Sequence, residues 1–213
     1  MCVSASASLK SFFSTLIFIG LLLKFGLKKL QKFNLFFSLT ILYVILMQLI
    51  DYFIWIDIDC KKGFNNVATK LGPIIMFSQP LIIYLLGRHI FPERKVPFLL
   101  SIINILYIVY LTINVIANWN KNKCTCILEE TGHLLWKWKW QPQGYLYFAL
   151  IAINFLFYAN HFYGKTALGI TILLLILISF IRKKSSGELW CFSAAAIPGI
   201  ILVLQLYKIY KIK

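Results

Sequence analysis

The chain has 213 residues, 60% of them hydrophobic, and a mean hydropathy of +0.79, where ordinary globular chains are about 45–50% apolar. The excess comes as separate apolar runs of spanning length with charges between them, which leaves no room for a separate soluble domain. The net charge of +15 sits largely on lysines in loops and at helix ends, where they meet anionic lipid head groups, and no exposed aromatic-and-basic platform of a nucleic-acid reader is present.

The pattern predicts an all-α polytopic membrane bundle of seven transmembrane helices in a single domain. The small-residue run from Ser4 to Ser8 precedes the first apolar run, whereas a signal cleavage site would follow it, so residues 9–23 read as a retained helix. The second span covers residues 33–56. The third, 67–86, is interrupted by Gln79-Pro80, and a proline there frees a carbonyl one turn back. Such breaks often line cavities, and they also occur for packing alone. The fourth span, 96–116, opens after Pro92 and Pro97. A long polar loop follows at 117–144, then the fifth span at 145–163. Gly164-Lys165 reads as a tight turn into the sixth, 166–181. The basic stretch 182–187 separates the seventh, 189–207, which contains Pro198 and reads as kinked there.

Seven spans place the termini on opposite sides. Eleven of the 22 basic residues fall on each side, so the positive-inside rule is tied by count. The clusters on the C-terminal side lie in short, clean loops (Lys24, Lys28, Lys29 and Lys32; Arg88, Arg94 and Lys95), which favours a cytoplasmic C-terminus. All six Trp, all five Cys and most acids fall on the opposite side. Trp136, Trp138 and Trp140 alternate with lysines, as in a segment lying among head groups or in a ligand platform.

The candidate ligand or ion pocket centres on Asp51. A carboxylate in hydrocarbon costs roughly 2.5–3.5 kcal/mol on insertion scales, so something must favour keeping it. Gln48, Asp51 and Trp55 share a helix face at i, i+3, i+7 spacing, and that face should look into the bundle. Gln79 and Glu188 are its candidate neighbours. The alternative is a structural hydrogen-bond node, or a carboxylate close enough to the interface to be hydrated. Cys2, Cys60, Cys124, Cys126 and Cys191 form a candidate disulfide or thiol cluster. Five is odd, so at least one thiol stays free or pairs outside the chain. If their side is cytosolic, Cys2, Cys60, Cys191 and His133 are the residues that would meet at a metal. Cys124-Thr125-Cys126 is C-x-C rather than a zinc C-x-x-C, and Cys2 also stands where acylation occurs. No cofactor motif, P-loop, G-x-S-x-G or H-E-x-x-H is present, and no lysine lies mid-way along the seventh span for a retinal Schiff base.

Three short stretches carry a resemblance: Met1-Cys2-Val3-Ser4 at the start, Gln48 through Trp55 in the second span, and Glu188 through Ala195 with its Trp190-Cys191-Phe192. Together they resemble a family of uncharacterised multi-pass membrane proteins of bacteria and large DNA viruses. The family's M-C-x-S opening and W-C-F-x-A last helix are matched, with Val3 where an aromatic is usual. The resemblance implies a membrane bundle and directs attention to Cys2, Gln48, Asp51, Trp55, Trp190 and Cys191. It implies no activity and no catalytic residue. It also suggests a Cys2–Cys191 bond tying the N-terminus to the last helix.

Two functional readings stand. One is a transporter-, channel- or receptor-like protein with a polar pocket near Asp51. The other is a structural or assembly membrane protein without ligand, for instance of a viral envelope. An enzyme using the thiols or a bound metal ranks last. The bilayer is the partner either reading needs, and homo-oligomers are compatible with both.

Overall fold

The structure, a computed structural model, describes residues 4–121, 123–128, 132–135, 144–181 and 196–212. Cys2, Glu188, Trp190, Cys191 and the tryptophans at 136–140 lie outside them, as does the suggested Cys2–Cys191 bond. Helix α1 spans Ala5–Phe25, α2 Gln31–Trp55, α3 Phe64–Phe77, α4 Gln79–Ile90 and α5 Phe98–Asn118. Helix α6 spans Gly144–Tyr158, α7 Phe162–Ile181 and α8 Ile197–Ile212. A 3-10 turn at Lys28–Leu30 joins α1 to α2.

Around an apolar core, helices α1 and α5 turn much of their apolar surface outward and bring polar groups in. Along α1 the buried stripe is Ser8, Ser11, Thr15, Ile19 and Leu22, while Phe13 and Ile17 on other faces are 54% and 63% exposed. Helix α5 repeats the pattern: Asn104 and Tyr107 point in, and Phe98, Ile105 and Ile116 point out. Apolar side chains turned outward suit a lipid surrounding, where association is driven by close packing and interhelical hydrogen bonds. Three segments are long and apolar enough to cross a membrane: α1, Lys28–Trp55 and α5. Helices α3 and α4 make a fourth if taken as one span bent by 51°. Two-thirds of the α2 span is buried, against 28% for α1 and 22% for α5, so α2 is the central post. It packs on α1, α3 and α4; α4 packs on α6, and α8 returns to α1.

Local chemistry sets the ends. Ser4, in extended backbone, accepts a hydrogen bond from the Ala7 N–H at 3.2 Å and caps α1. Pro97 opens α5 from the N-cap position. The turn between α6 and α7 lies at Ala159-Asn160-His161, not at Gly164-Lys165 as predicted. Gly164 instead sits in the first turn of α7, where a Cβ would collide with the Ala159 carbonyl oxygen. The glycine marks a close approach, and the sequence reading mistook it for the bend. Pro198 occupies the second position of α8, where its missing N–H costs nothing and no kink is needed.

The polar loop after α5 is not featureless, which adds a small element to the predicted all-α class. Strand β1 (Cys126–Leu128) pairs antiparallel with β2 (His133–Leu135), with Ile127 opposite Leu134. Gly132, at φ +66, supplies the left-handed residue that the turn needs.

Two opposite ends of the bundle are defined by ties between distant parts of the chain. At one end Lys32, at the start of α2, pairs with Glu93 in the α4–α5 loop at 3.1 Å. There the Arg94 guanidinium donates to the Phe157 carbonyl at the end of α6, and Phe33 packs edge-on against His161. At the other end Cys60 is disulfide-bonded to Cys124, with Cα atoms 6.2 Å apart.

Candidate functional site

The third predicted span breaks at Ser78, one residue before the predicted Gln79-Pro80 interruption. Pro80 has no N–H to give and is tolerated here because it falls in the first turn of α4. Pro73 lies inside α3 as well. A break in a membrane helix leaves backbone groups that lipid does not satisfy, so neighbouring helices must do so. Tyr107 of α5 donates to the Phe77 carbonyl at 2.8 Å, and Asn154 of α6 donates to the Pro80 carbonyl at 2.9 Å. The Ser78 hydroxyl bonds back to the Ile74 carbonyl and meets the Tyr43 hydroxyl of α2 at 2.7 Å. Asn154 and Asn104 of α5 form a reciprocal amide pair at 2.9 and 3.1 Å. The bend is therefore held from three sides.

Beside this break lies a cavity of about 50 Å³. Thr40 and Val44 of α2, Gln79 and Ile83 of α4 and Ile151 of α6 form part of its wall. Ala167 and Thr171 of α7 and Ile197 of α8 close it, so five helices contribute. The surface is almost wholly apolar. Gln79 is 2% exposed; its Oε1 accepts the Tyr147 hydroxyl at 2.5 Å, which leaves its Nε2 as a donor with no partner among the described residues. The Thr40 hydroxyl, 5% exposed, likewise has none there. Thr171 is satisfied by the Ala167 carbonyl at 2.8 Å.

Of the predicted pocket residues, Gln79 is in this wall. Gln48 and Asp51 are fully buried on α2, and Trp55 is partly buried. They stand further along the same helix: Asp51 is eleven residues from Thr40, about 16 Å of rise. Thr40, Val44, Gln48, Asp51 and Trp55 nevertheless follow one another at spacings of three and four, so one face of α2 runs from the cavity to the disulfide-bearing end.

That end is built on Asp57, just past α2. Burial pushes the Asp57 carboxyl up, but the backbone N–H groups of Lys62, Asn65, Lys61 and Gly63 outweigh it and hold the group below its ordinary value. The bonds from Lys62 and Asn65 are 2.8 and 3.1 Å. Because these donors open α3, the carboxylate also faces the positive end of that helix. Asn65 donates to the Thr125 carbonyl at 2.9 Å and accepts the Thr125 N–H at 2.9 Å, and Thr69 meets the Thr125 hydroxyl at 2.8 Å. The loop after α5 is thus fastened to α3 by polar contacts, by the adjacent disulfide, and by Lys70 over the Trp119 ring at 5.8 Å. Cys126 is free and half-buried. At the opposite end, the backbone N–H of Glu93 and the Lys32 ammonium hold the Glu93 carboxyl low.

No protein-family model, no curated protein and no solved structure matches the chain. Nothing is inherited from a relative, and the chemistry must come from the side chains themselves. Among the described residues no group of three or more His, Cys, Asp or Glu stands together to hold a metal ion.

Sequence reasoning singled out Asp51 with the two glutamines Gln48 and Gln79 and passed over four amides that do structural work. Besides Asn104 and Asn154, Asn34 and Gln205 exchange hydrogen bonds at 2.9 and 3.3 Å, and Gln205 also accepts the Leu27 N–H at 2.8 Å. Asn104, Asn154 and Gln205 are lone amides in apolar runs, the same signal that drew attention to Asp51, whereas Asn34 follows Gln31 and Lys32 at the start of α2.

Proposed function

We propose that the chain is an integral membrane protein of seven spans, with α3 and α4 together forming a broken third span. It is transporter-, channel- or receptor-like, and its pocket lies within the bundle at that break. The observation that carries the reading is a five-helix cavity beside an interrupted helix, with the buried polar residues Gln79 and Thr40 in its wall. Broken helices at mid-bundle are where membrane transport proteins place their binding sites. The α2 face through Gln48, Asp51 and Trp55 supplies polar groups on a route from the cavity to the disulfide-bearing end. A disulfide persists in an oxidising compartment, so that end faces outward or into a lumen. The end bearing Lys28, Lys29, Arg88 and Lys95 then faces the cytoplasm and its anionic lipid head groups, with the C-terminus on the same side.

The test is thiol accessibility. In a background with Cys2, Cys126 and Cys191 replaced by Ser, Thr40→Cys is treated with methyl methanethiosulfonate, a small neutral reagent. Gln48→Cys is treated with a charged, membrane-impermeant thiosulfonate from either side. The thiol introduced by Thr40→Cys should react with the neutral reagent, and the thiol introduced by Gln48→Cys should react from the disulfide side. If neither is modified while an exposed Lys121→Cys control reacts fully, the bundle is sealed and the chain is a structural membrane protein.

A further inference from the structure

We infer that the Lys32–Glu93 end of the bundle holds one anionic phospholipid, its phosphate headgroup seated between the α1–α2 turn and the C-terminal end of α8. This site rests on the membrane reading above but not on the cavity at the α3–α4 break.

Two segments far apart in the chain bring the charge together. Lys24, Lys28, Lys29 and Lys32 fall within nine residues of the α1–α2 turn, and Lys208 and Lys211 lie in the last turns of α8; all six are exposed. Buried amides set their proximity. Gln205 accepts the Leu27 N–H at 2.8 Å and exchanges hydrogen bonds with Asn34. Further back along α8, Gly199 is so near α1 that a Cβ would lie 3.2 Å from the Phe18 ring. Helix α8 therefore runs alongside α1 in the same direction, from the level of Phe18 to that of Leu27. Lys208 is one turn beyond Gln205 on the same face, about 4.5 Å of rise, which sets it beside the turn that carries Lys28 and Lys29.

Little balances this charge. Among the described residues the acid of this end is Glu93, and it is already paired with Lys32 at 3.1 Å. Lys28, Lys29, Lys208 and Lys211 make no ion pair there. Like charges held close by a fixed scaffold attract an anion, and an ammonium group is a point-charge partner for phosphate. The surroundings assign that phosphate to a lipid. Within two turns of the lysines, α1 exposes Leu23 and Phe25, and α8 exposes Val203, Leu206 and Tyr207. Lys24 lies over the Phe25 ring at 5.2 Å and Lys211 over the Tyr207 ring at 5.3 Å. Lysines and aromatic rings together belong at headgroup depth, and the aliphatic side chains on the bilayer side of them offer acyl chains a surface that a soluble anion does not use.

The full chain in detergent is examined by native mass spectrometry with phosphatidic acid, with phosphatidylcholine, and with phosphatidic acid plus excess inorganic phosphate. The wild type should retain one phosphatidic acid and no phosphatidylcholine, and inorganic phosphate, which has no acyl chains, should not displace the bound lipid. Each lysine near an anionic headgroup is worth about fivefold. Lys28→Gln with Lys29→Gln, and separately Lys208→Gln with Lys211→Gln, should therefore each weaken retention about tenfold or more. All four side chains are exposed, so the variants keep the fold. Lys61→Gln with Lys62→Gln, at the disulfide-bearing end, should retain the lipid as the wild type does. The inference is overturned if phosphatidylcholine is held as well as phosphatidic acid, if inorganic phosphate displaces the lipid, if only one of the two lysine pairs matters, or if the Lys61 and Lys62 pair matters as much. Loss of the lipid site leaves the pocket to its thiol test, and an unreactive thiol in Thr40→Cys leaves the lipid site standing. A chain recovered in the soluble fraction without detergent removes the membrane reading and this site together.

Discussion

Asn154→Leu is the substitution that tests the bend most directly. Asn154 donates to the Pro80 carbonyl and exchanges two bonds with Asn104, so three interhelical hydrogen bonds vanish together. Such bonds in membrane proteins average about 0.6 kcal/mol and reach about 1.7. Their sum is about 2 kcal/mol, with an upper limit near 5. Asn104 keeps its bond to the Leu100 carbonyl, but its Oδ1 is left without its partner at a site only 1% exposed. An orphaned buried acceptor adds a desolvation cost of about 1 kcal/mol or more, so Asn154→Leu should cost about 3 kcal/mol. Asn104→Leu leaves the Pro80 bond intact and should cost about 2 kcal/mol on the same scale. In the double variant neither amide remains to be orphaned. Its cost should therefore be about 2 kcal/mol, short of the sum of the single effects by about 3 kcal/mol. Equilibrium unfolding in bicelles, read by steric trapping or by SDS titration, measures all three. Additive effects, or a single variant indistinguishable from wild type, would refute the claim that the pair and the Pro80 carbonyl act as one unit.

Replacing Cys60 and Cys124 with Ser opens a loop closed over a separation of 64 residues, worth about 4 kcal/mol on the chain-entropy estimate. Lipid already confines the unfolded helices, so the measured loss should be smaller, and hydrogen exchange should rise at Asn65 and Thr125 before it rises at Asn104. On reduction the wild type should gain two hydrogens more than the Cys60→Ser, Cys124→Ser variant, read by intact-mass analysis. Asp57 has a lowered folded-state value, so its contribution to stability is fully present above its ordinary value of 3.8 and is lost as pH falls through the lowered one. The gap between the unfolding midpoints of wild type and Asp57→Asn should therefore be full at pH 6 and shrink as pH falls below 3.8; a gap that stays constant on acidification contradicts the assignment. Gly87→Ala would drive a Cβ into the Tyr158 ring, itself fully buried against Phe36 and Phe91. Overpacking of that kind costs about 1–3 kcal/mol, and a variant as stable as wild type would mean that α4 and α6 are not in close contact.

Much of the helical framework was legible because a membrane span needs about 20 apolar residues whatever it packs against. The break near Gln79 was legible because proline acts locally, and Asp51 could be assigned to the interior because lipid offers a carboxylate nothing. What escaped was pairwise. Nothing near Asn104 in sequence announces that Asn154 is opposite, and the Cys60–Cys124 pairing among five cysteines is a fact of tertiary structure. The hairpin at β1 and β2 was missed because three-residue strands are too short to show alternation. The α6–α7 turn was misplaced because glycine signals both a bend and a close contact, and here it is a contact.

The polar side chains also explain why this bundle has one arrangement. Leucine and isoleucine pack almost as well against lipid tails as against each other, so apolar runs alone fix the spans but not their neighbours. Neighbours are fixed at three levels. At one end Asn34 with Gln205 binds the α1–α2 turn to α8, and Lys32 with Glu93 binds α2 to the α4–α5 loop. At the bend Tyr107, Asn154, Tyr43 and Tyr147 bind α5, α6 and α2 to the α3–α4 junction. At the far end Asn65, Thr69 and the disulfide bind the loop after α5 to α3. The outer two levels hold the ends of the α3–α4 span, so a change of bend angle must be absorbed at the middle level. The Gln79 amide, which accepts the Tyr147 hydroxyl of α6, sits at that level, so the junction of α3 and α4 is the one place where a change of bend has to be taken up by side-chain rearrangement.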